Sequence, residues 1–180
     1  RPKGVGIRHR SLINNSSWYH SLLSDGVIRL ICRASINFDV SICEYSTGLL
    51  KGYSLVIFKS GNDYLPELVD DINKQKCTAL QAPPSLIELF KSKMCYLKYL
   101  FSGGDRLEKE HIDVVKKNIK GAILYNTYGP TESCIDATYW EYQETTNSTI
   151  PIGAPISNTQ IHILDELLNQ VSIGTAGEMY

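Results

Sequence analysis

The chain has 180 residues, with 18 Lys plus Arg against 19 Asp plus Glu and a formal net charge of −1. Hydrophobic residues make up 43% and charged residues 21%, values that exclude a disordered tract, a collagen-like repeat and a disulfide miniprotein. The near-neutral balance argues against nucleic acid or an anionic membrane as the main partner, because both select basic surfaces. No apolar run approaches the roughly 20 residues of a membrane span.

In chain order, the patterning alternates short β-rich runs with amphipathic helices. A helix is expected over Ser11 to Leu23, where Leu12, Ser16, Tyr19 and Leu23 share a face, followed by a strand over Val27 to Cys32. Next come a helix over Val40 to Leu50, a strand over Ser54 to Phe58 and a helix capped by Asp63 and running to about Lys74. Cys77 to Leu80 reads as a strand, Ser85 to Phe90 as a helix, Lys98 to Phe101 as a strand, Leu107 to Lys117 as a helix and Ala122 to Tyr125 as a strand. Such strand-helix-strand repetition predicts an α/β fold with a parallel sheet covered by helices. After Ile135 three strands without intervening helices, Ala137 to Tyr142, Thr159 to Leu164 and Gly177 to Tyr180, predict a smaller β-rich C-terminal end.

Cys32, Cys43, Cys77, Cys95 and Cys134 form no CxxC pair and stand near no His at ligand spacing, so they read as reduced, mostly buried thiols of a cytoplasmic protein. In that setting the glycosylation patterns at Asn14, Asn15 and Asn147 carry no meaning. His20, His111 and His162 are expected at the surface, and His9 is expected to make a structural hydrogen bond.

Ligands of open α/β sheets bind at the carboxyl ends of the strands. Two loops are expected there: Ser102 to Arg106, whose Gly103 and Gly104 let a ligand approach the backbone, and Asn126 to Glu132. The second groups an amide, two hydroxyls, a phenol and a carboxylate around a Gly-Pro corner. That set suits a nucleotide with Mg²⁺ on a lone carboxylate. It equally suits a plain helix start with Thr131 as cap and Glu132 on the dipole.

The motifs decide in combination. Arg1 to Gly4, Phe38-Asp39-Val40-Ser41, Asn126 through Tyr128-Gly129-Pro130-Thr131-Glu132, Ile152-Gly153-Ala154-Pro155 and Gly177-Glu178 occur in that order. This set resembles the adenylation domains of nonribosomal peptide synthetases, within the adenylate-forming superfamily that includes acyl-CoA synthetases and luciferases. The resemblance implies a fragment, residues 1–180, of one AMP-binding domain truncated at both ends. It would belong to the large N-terminal subdomain, without the C-terminal subdomain and its lysine. An acyl- or aryl-CoA synthetase and a non-catalytic nucleotide-binding module are the alternatives.

The implied reaction activates an amino acid with ATP and Mg²⁺ as aminoacyl-AMP. The aminoacyl group then passes to the phosphopantetheine thiol of a peptidyl carrier domain, which works beside a condensation domain of the same synthetase. By resemblance Glu132 binds Mg²⁺, Thr131 contacts phosphate and Lys3 belongs to the phosphate loop. Asn126, Tyr128 and Gly129 hold the nucleotide, with Gly103 and Gly104 lining the adenine slot. Asp39 pairs with the substrate α-ammonium, although its position equally suits an N-cap of the helix that follows. The implied substrate pocket is Asp39, Val40, Cys43, Gln81, Phe101, Gly103, Thr127, Ile135 and Asp136. Its polar members favour a polar substrate, with glutamine as first expectation and ornithine, arginine or serine as others. The fragment alone is expected to be inactive.

Overall fold

The computed structural model describes residues 4–23, 26–58, 65–144 and 149–180. Asp63 and Asn147, together with Lys3, expected in a phosphate loop, lie outside them. The helices are α1 (His9–Leu22), α2 (Val40–Lys51), α3 (Leu65–Lys74), α4 (Pro84–Ile87) and α5 (Lys109–Asn118). The main strands are β1 (Arg29–Cys32), β2 (Ser54–Ile57), β3 (Ala79–Gln81), β4 (Tyr99–Ser102), β5 (Ile123–Tyr128), β6 (Thr138–Glu141) and β7 (Ala154–Pro155). A two-stranded ribbon of β8 (Ile163–Leu164) and β9 (Glu178–Met179) follows.

The seven main strands form one sheet in the order β2-β1-β3-β4-β5-β6-β7. The first five are parallel, and β6 and β7 are antiparallel. Alternation along each parallel strand sends one residue to either face. Ile31, Leu80, Leu100 and Leu124 meet α3, α4 and α5 through Leu68, Ile72, Ile87, Ile112 and Val115. Leu30, Ala79, Tyr99, Phe101 and Tyr125 meet α1 and α2 through Trp18, Tyr19 and Cys43. On that second face Phe101 stacks between Tyr19 at 4.0 Å and Tyr125 at 4.9 Å between ring centroids. Among the described residues no helix is long and apolar enough to cross a membrane.

Several expectations are corrected. The strand expected to stop at Tyr125 continues to Tyr128, because Asn126, Thr127 and Tyr128 pair with Trp140, Tyr139 and Thr138. The expected separate β-rich end is only partly separate, since β6 and β7 extend the main sheet. Helix α4 is one turn started by Pro84, shorter than expected. His111 is not at the surface: it is buried, its Nδ1 accepts the Glu108 N–H at 2.9 Å, and its Nε2 lies 3.0 Å from Glu88. It closes the capping box that starts α5. His20 and His162 are exposed as expected. His9 is exposed too, at the first position of α1. Of the five cysteines four are buried and Cys95 is exposed, all as free thiols.

Candidate functional site

The carboxyl ends of β1, β3, β4 and β5 open into a cavity of about 890 Å³. Arg33 to Ile36 follow β1 on its wall, Gln81 and Pro83 come from β3, Gly103 and Gly104 from β4, and Thr127 and Gly129 from β5. Phe38, Asp39 and Val40 enter from the start of α2, and Ile135 and Asp136 from the connection between β5 and β6. The structure therefore brings together Asp39, Val40, Gln81, Gly103, Thr127, Ile135 and Asp136. Cys43 and Phe101 are not on this wall. Cys43 is buried against Thr47, with 3.8 Å between Sγ and Oγ1, and Phe101 is held in the aromatic stack behind it.

Asp39 occupies the N-cap position of α2 but makes no side-chain cap bond. Its Oδ2 instead accepts the hydroxyl of Thr131 at 2.6 Å. Thr131 and Glu132 begin a single 3₁₀ turn, Thr131–Ser133, entered from Pro130, again without a side-chain cap. Both plain capping readings thus fail, and both side chains are left for other work. Glu132 is exposed beside them.

The return from that turn is unusual. Cys134 and Ile135 hold φ of 69° and 77°, and the Asp136 N–H donates to the Cys134 carbonyl at 3.0 Å. This is a γ-turn centred on Ile135, a β-branched residue in the left-handed region, which is strained by of order 1–3 kcal/mol. Gly129 permits it: a Cβ there would collide with the Ile135 carbonyl oxygen and lie 2.8 Å from the Asp136 Cα. The Ala137 N–H closes the neck of the loop on the Tyr128 carbonyl at 2.7 Å.

The turn places Asp136 on a buried floor. Burial pushes its carboxyl up to about 6 and nearby Asp39 adds to this, against hydrogen bonds from Thr127 and Asn15 that favour the charged form. Asn15, on α1, donates from Nδ2 to Asp136 Oδ2 at 3.4 Å. Among the described residues Gln81 Oε1, on the cavity wall, is a buried acceptor without a donor, as are Asn15 Oδ1 and the Tyr19 hydroxyl behind it. A buried polar atom left unpaired costs free energy, so the Gln81 end of the cavity suits a ligand that brings a hydrogen bond.

Sequence reasoning missed Asn15, Tyr19 and Glu44. Glu44 is 1% exposed, and its Oε2 accepts the backbone N–H groups of Arg33 at 3.0 Å and Ala34 at 3.1 Å, bracing the cavity rim. Burial pushes its carboxyl up to about 7 against those hydrogen bonds and the Arg33 charge. The signal was its place on the inward stripe of α2 with Cys43, Thr47 and Gly48.

Of the residues expected to hold a nucleotide, Asn126 is buried at the register where β5 meets β6, and its amide donates to the Pro151 carbonyl at 2.7 Å. Tyr128 projects a half-open ring at the strand end, 40% exposed. Gly103 is packed so closely that a Cβ would lie 2.5 Å from Thr127 Oγ1, whereas Gly104 has open space around it. Among the described residues no three His, Cys, Asp or Glu cluster as a metal cage. Glu132 is thus a lone carboxylate, the donor set that Mg²⁺ takes when phosphate oxygens and water complete its shell.

A parallel sheet with a glycine-lined, carboxylate-bearing cavity at its strand ends defines a nucleotide-type α/β site. The chain belongs to the AMP-binding enzyme family, whose match covers residues 1–180. It is 34% identical to vanchrobactin synthetase VabF of Vibrio anguillarum over 99% of its own length, which is 7% of that protein. It is 34% identical to gramicidin S synthase 1 of Brevibacillus brevis over 99% of its length, 16% of that protein. The N-terminal subdomain of Klebsiella oxytoca NpsA, solved in complex with 3-hydroxybenzoyl-AMSN, shares the fold with a TM-score of 0.86 at 24% identity. The match covers 99% of this chain and 46% of that one. The chain thus spans a small part of its curated relatives. The resemblance to adenylation domains of nonribosomal peptide synthetases holds, as does the expected mixed α/β fold with a mostly parallel sheet.

Proposed function

We propose that this chain is the amino-acid- and ATP-binding part of an adenylation domain in a longer synthetase. There the substrate carboxylate oxygen attacks the α-phosphorus of ATP, the bond to the bridging oxygen breaks, and aminoacyl-AMP and pyrophosphate form. Such in-line transfer needs positioning and charge neutralisation rather than a protein nucleophile. Asp39 at the cavity mouth would hold the α-ammonium. Tyr128, Gly103 and Gly104 would border the adenine, and Asn126 would hold it through the side of its amide not committed to Pro151. Mg²⁺ on Glu132 would neutralise phosphate charge. The aminoacyl group would then pass to the phosphopantetheine thiol of a carrier domain, with a condensation domain downstream in the same synthesis. Free, mostly buried thiols accord with a cytoplasmic enzyme.

The observation that carries this reading is one cavity with a carboxylate, Asp39, at its mouth and a buried polar floor of Asp136 and Gln81. The unpaired Gln81 oxygen on the cavity wall supports a substrate side chain with N–H donors, as in glutamine. Amino-acid-dependent ATP–pyrophosphate exchange by the full-length protein tests it. Exchange with a polar amino acid is expected. Exchange driven only by benzoates or fatty acids would move the protein to an aryl- or acyl-activating ligase, and none with any acid would leave a binding module.

A further inference from the structure

Thr131 has one hydroxyl proton to give. In this structure it is given to Asp39 Oδ2, at 2.6 Å. The role carried over by resemblance, a contact to phosphate, calls on that same proton. Both cannot be served at once. While the proton lies on Asp39, Oγ1 offers only lone pairs to an anion, which repel it. Among the described residues Asp39 has no cationic partner. Its carboxylate therefore faces the cavity mouth with a neutral hydroxyl as its hydrogen-bond donor.

Resting on the adenylation reading, we infer that the Thr131 hydroxyl senses whether an amino acid occupies Asp39 and couples that occupancy to binding of the ATP phosphates. An α-ammonium brings a full charge and three N–H donors, so it outcompetes a neutral hydroxyl for the carboxylate. The released O–H turns about its Cβ–Oγ bond, with no backbone motion, and donates to a phosphate oxygen. Glu132 is the next residue on the same 3₁₀ turn and is exposed beside Thr131, so the two belong to one short segment at the cavity mouth. Each substrate then strengthens the other's binding by the same factor, because coupling between two ligands is reciprocal.

The test uses the full-length protein and the amino acid that best supports pyrophosphate exchange. The probes are α,β-methylene-ATP with Mg²⁺ and the amino alcohol of that amino acid, which keeps the ammonium and cannot react. Calorimetric Kd values for the nucleotide are measured without and with saturating amino alcohol. Wild type and Thr131→Ser are expected to bind the nucleotide about 5-fold or more tighter with the amino alcohol present. Thr131→Val, which keeps the shape and loses the donor, is expected to give a ratio near one. Retained tightening in Thr131→Val, or its absence in wild type, would overturn the inference while exchange activity left the adenylation reading standing. Absence of exchange with every amino acid would remove both.

Discussion

Asn15 and Asp136, 121 residues apart in the chain, form a buried hydrogen bond of 3.4 Å between α1 and the connection from β5 to β6. Through it α1, which supplies no residue to the cavity wall, fixes the side chain that forms the floor. Replacing Asn15 with Leu removes the donor and leaves a buried carboxylate less satisfied. Denaturant unfolding at pH 7 is expected to show a loss of about 1–3 kcal/mol. A loss near zero would mean that the pair contributes nothing.

Asp136 also makes stability depend on pH. Folded, its carboxyl holds its proton up to about pH 6, whereas unfolded it releases it near the ordinary value of about 4. Between these the folded chain binds more protons, so this group's contribution to stability falls as pH rises through the window. The penalty is absent below about pH 4 and reaches roughly 3 kcal/mol above pH 6. Asp136→Asn is therefore expected to gain stability relative to wild type on going from pH 4 to pH 7.5. An equal difference at both pH values would contradict this.

Glu44 gives a paired comparison. Glu44→Gln keeps an oxygen for the Arg33 and Ala34 N–H groups and removes a carboxyl pushed up to about 7. It is expected to be close to neutral at pH 4 and stabilising at pH 8. Glu44→Leu strips both N–H groups of their acceptor and is expected to lose about 1–3 kcal/mol at either pH. Thermal melts of the two variants at both pH values distinguish the cases.

Glu132→Ala is expected to abolish Mg²⁺-dependent pyrophosphate exchange in the full-length protein while leaving amino-acid binding intact. Retained exchange would remove Glu132 from the metal. Asp39→Ala should raise the KM for the amino acid far more than that for ATP.

Gly103→Ala tests the packing of the cavity wall between β4 and β5. Its methyl would meet Thr127 Oγ1 at 2.5 Å and the Thr127 carbonyl oxygen at 2.9 Å. A rigid neighbouring strand cannot retreat, so exchange activity should fall at least tenfold together with stability. Normal activity would show that the strand gives way.

The alternation of β-rich runs and amphipathic stretches made the parallel sheet legible, because a two-residue period and a 3.6-residue period leave separate traces. The motif order singled out Asp39 and Thr131, which the structure joins by a hydrogen bond, and Glu132 beside them. What stayed hidden depends on long-range contacts. Asn126 to Tyr128 read as loop because nothing local announces that β6 returns antiparallel beside them. His111 looked like a polar helix residue, although α5 packs against α4 and brings its ring to 3.0 Å from Glu88. Asn15 sits within what looked like a glycosylation pattern, and only packing against Asp136 gives it meaning. Phe101 was placed in the pocket by position, yet the rings of Tyr19 and Tyr125 hold it behind the wall.

The loop from Gly129 to Asp136 is pinched at its neck by the Ala137-to-Tyr128 hydrogen bond and by the Tyr128–Thr138 strand pair. The tight turn at Ile135 and the glycine beneath it lie inside that neck, whereas the Asp136 and Thr131 side chains are held from outside it, by Asn15 and Asp39. Exchanged whole between two such domains, the segment should carry its backbone turn with it, but its floor carboxylate would keep its aim only where the new host also supplies the amide on its first helix.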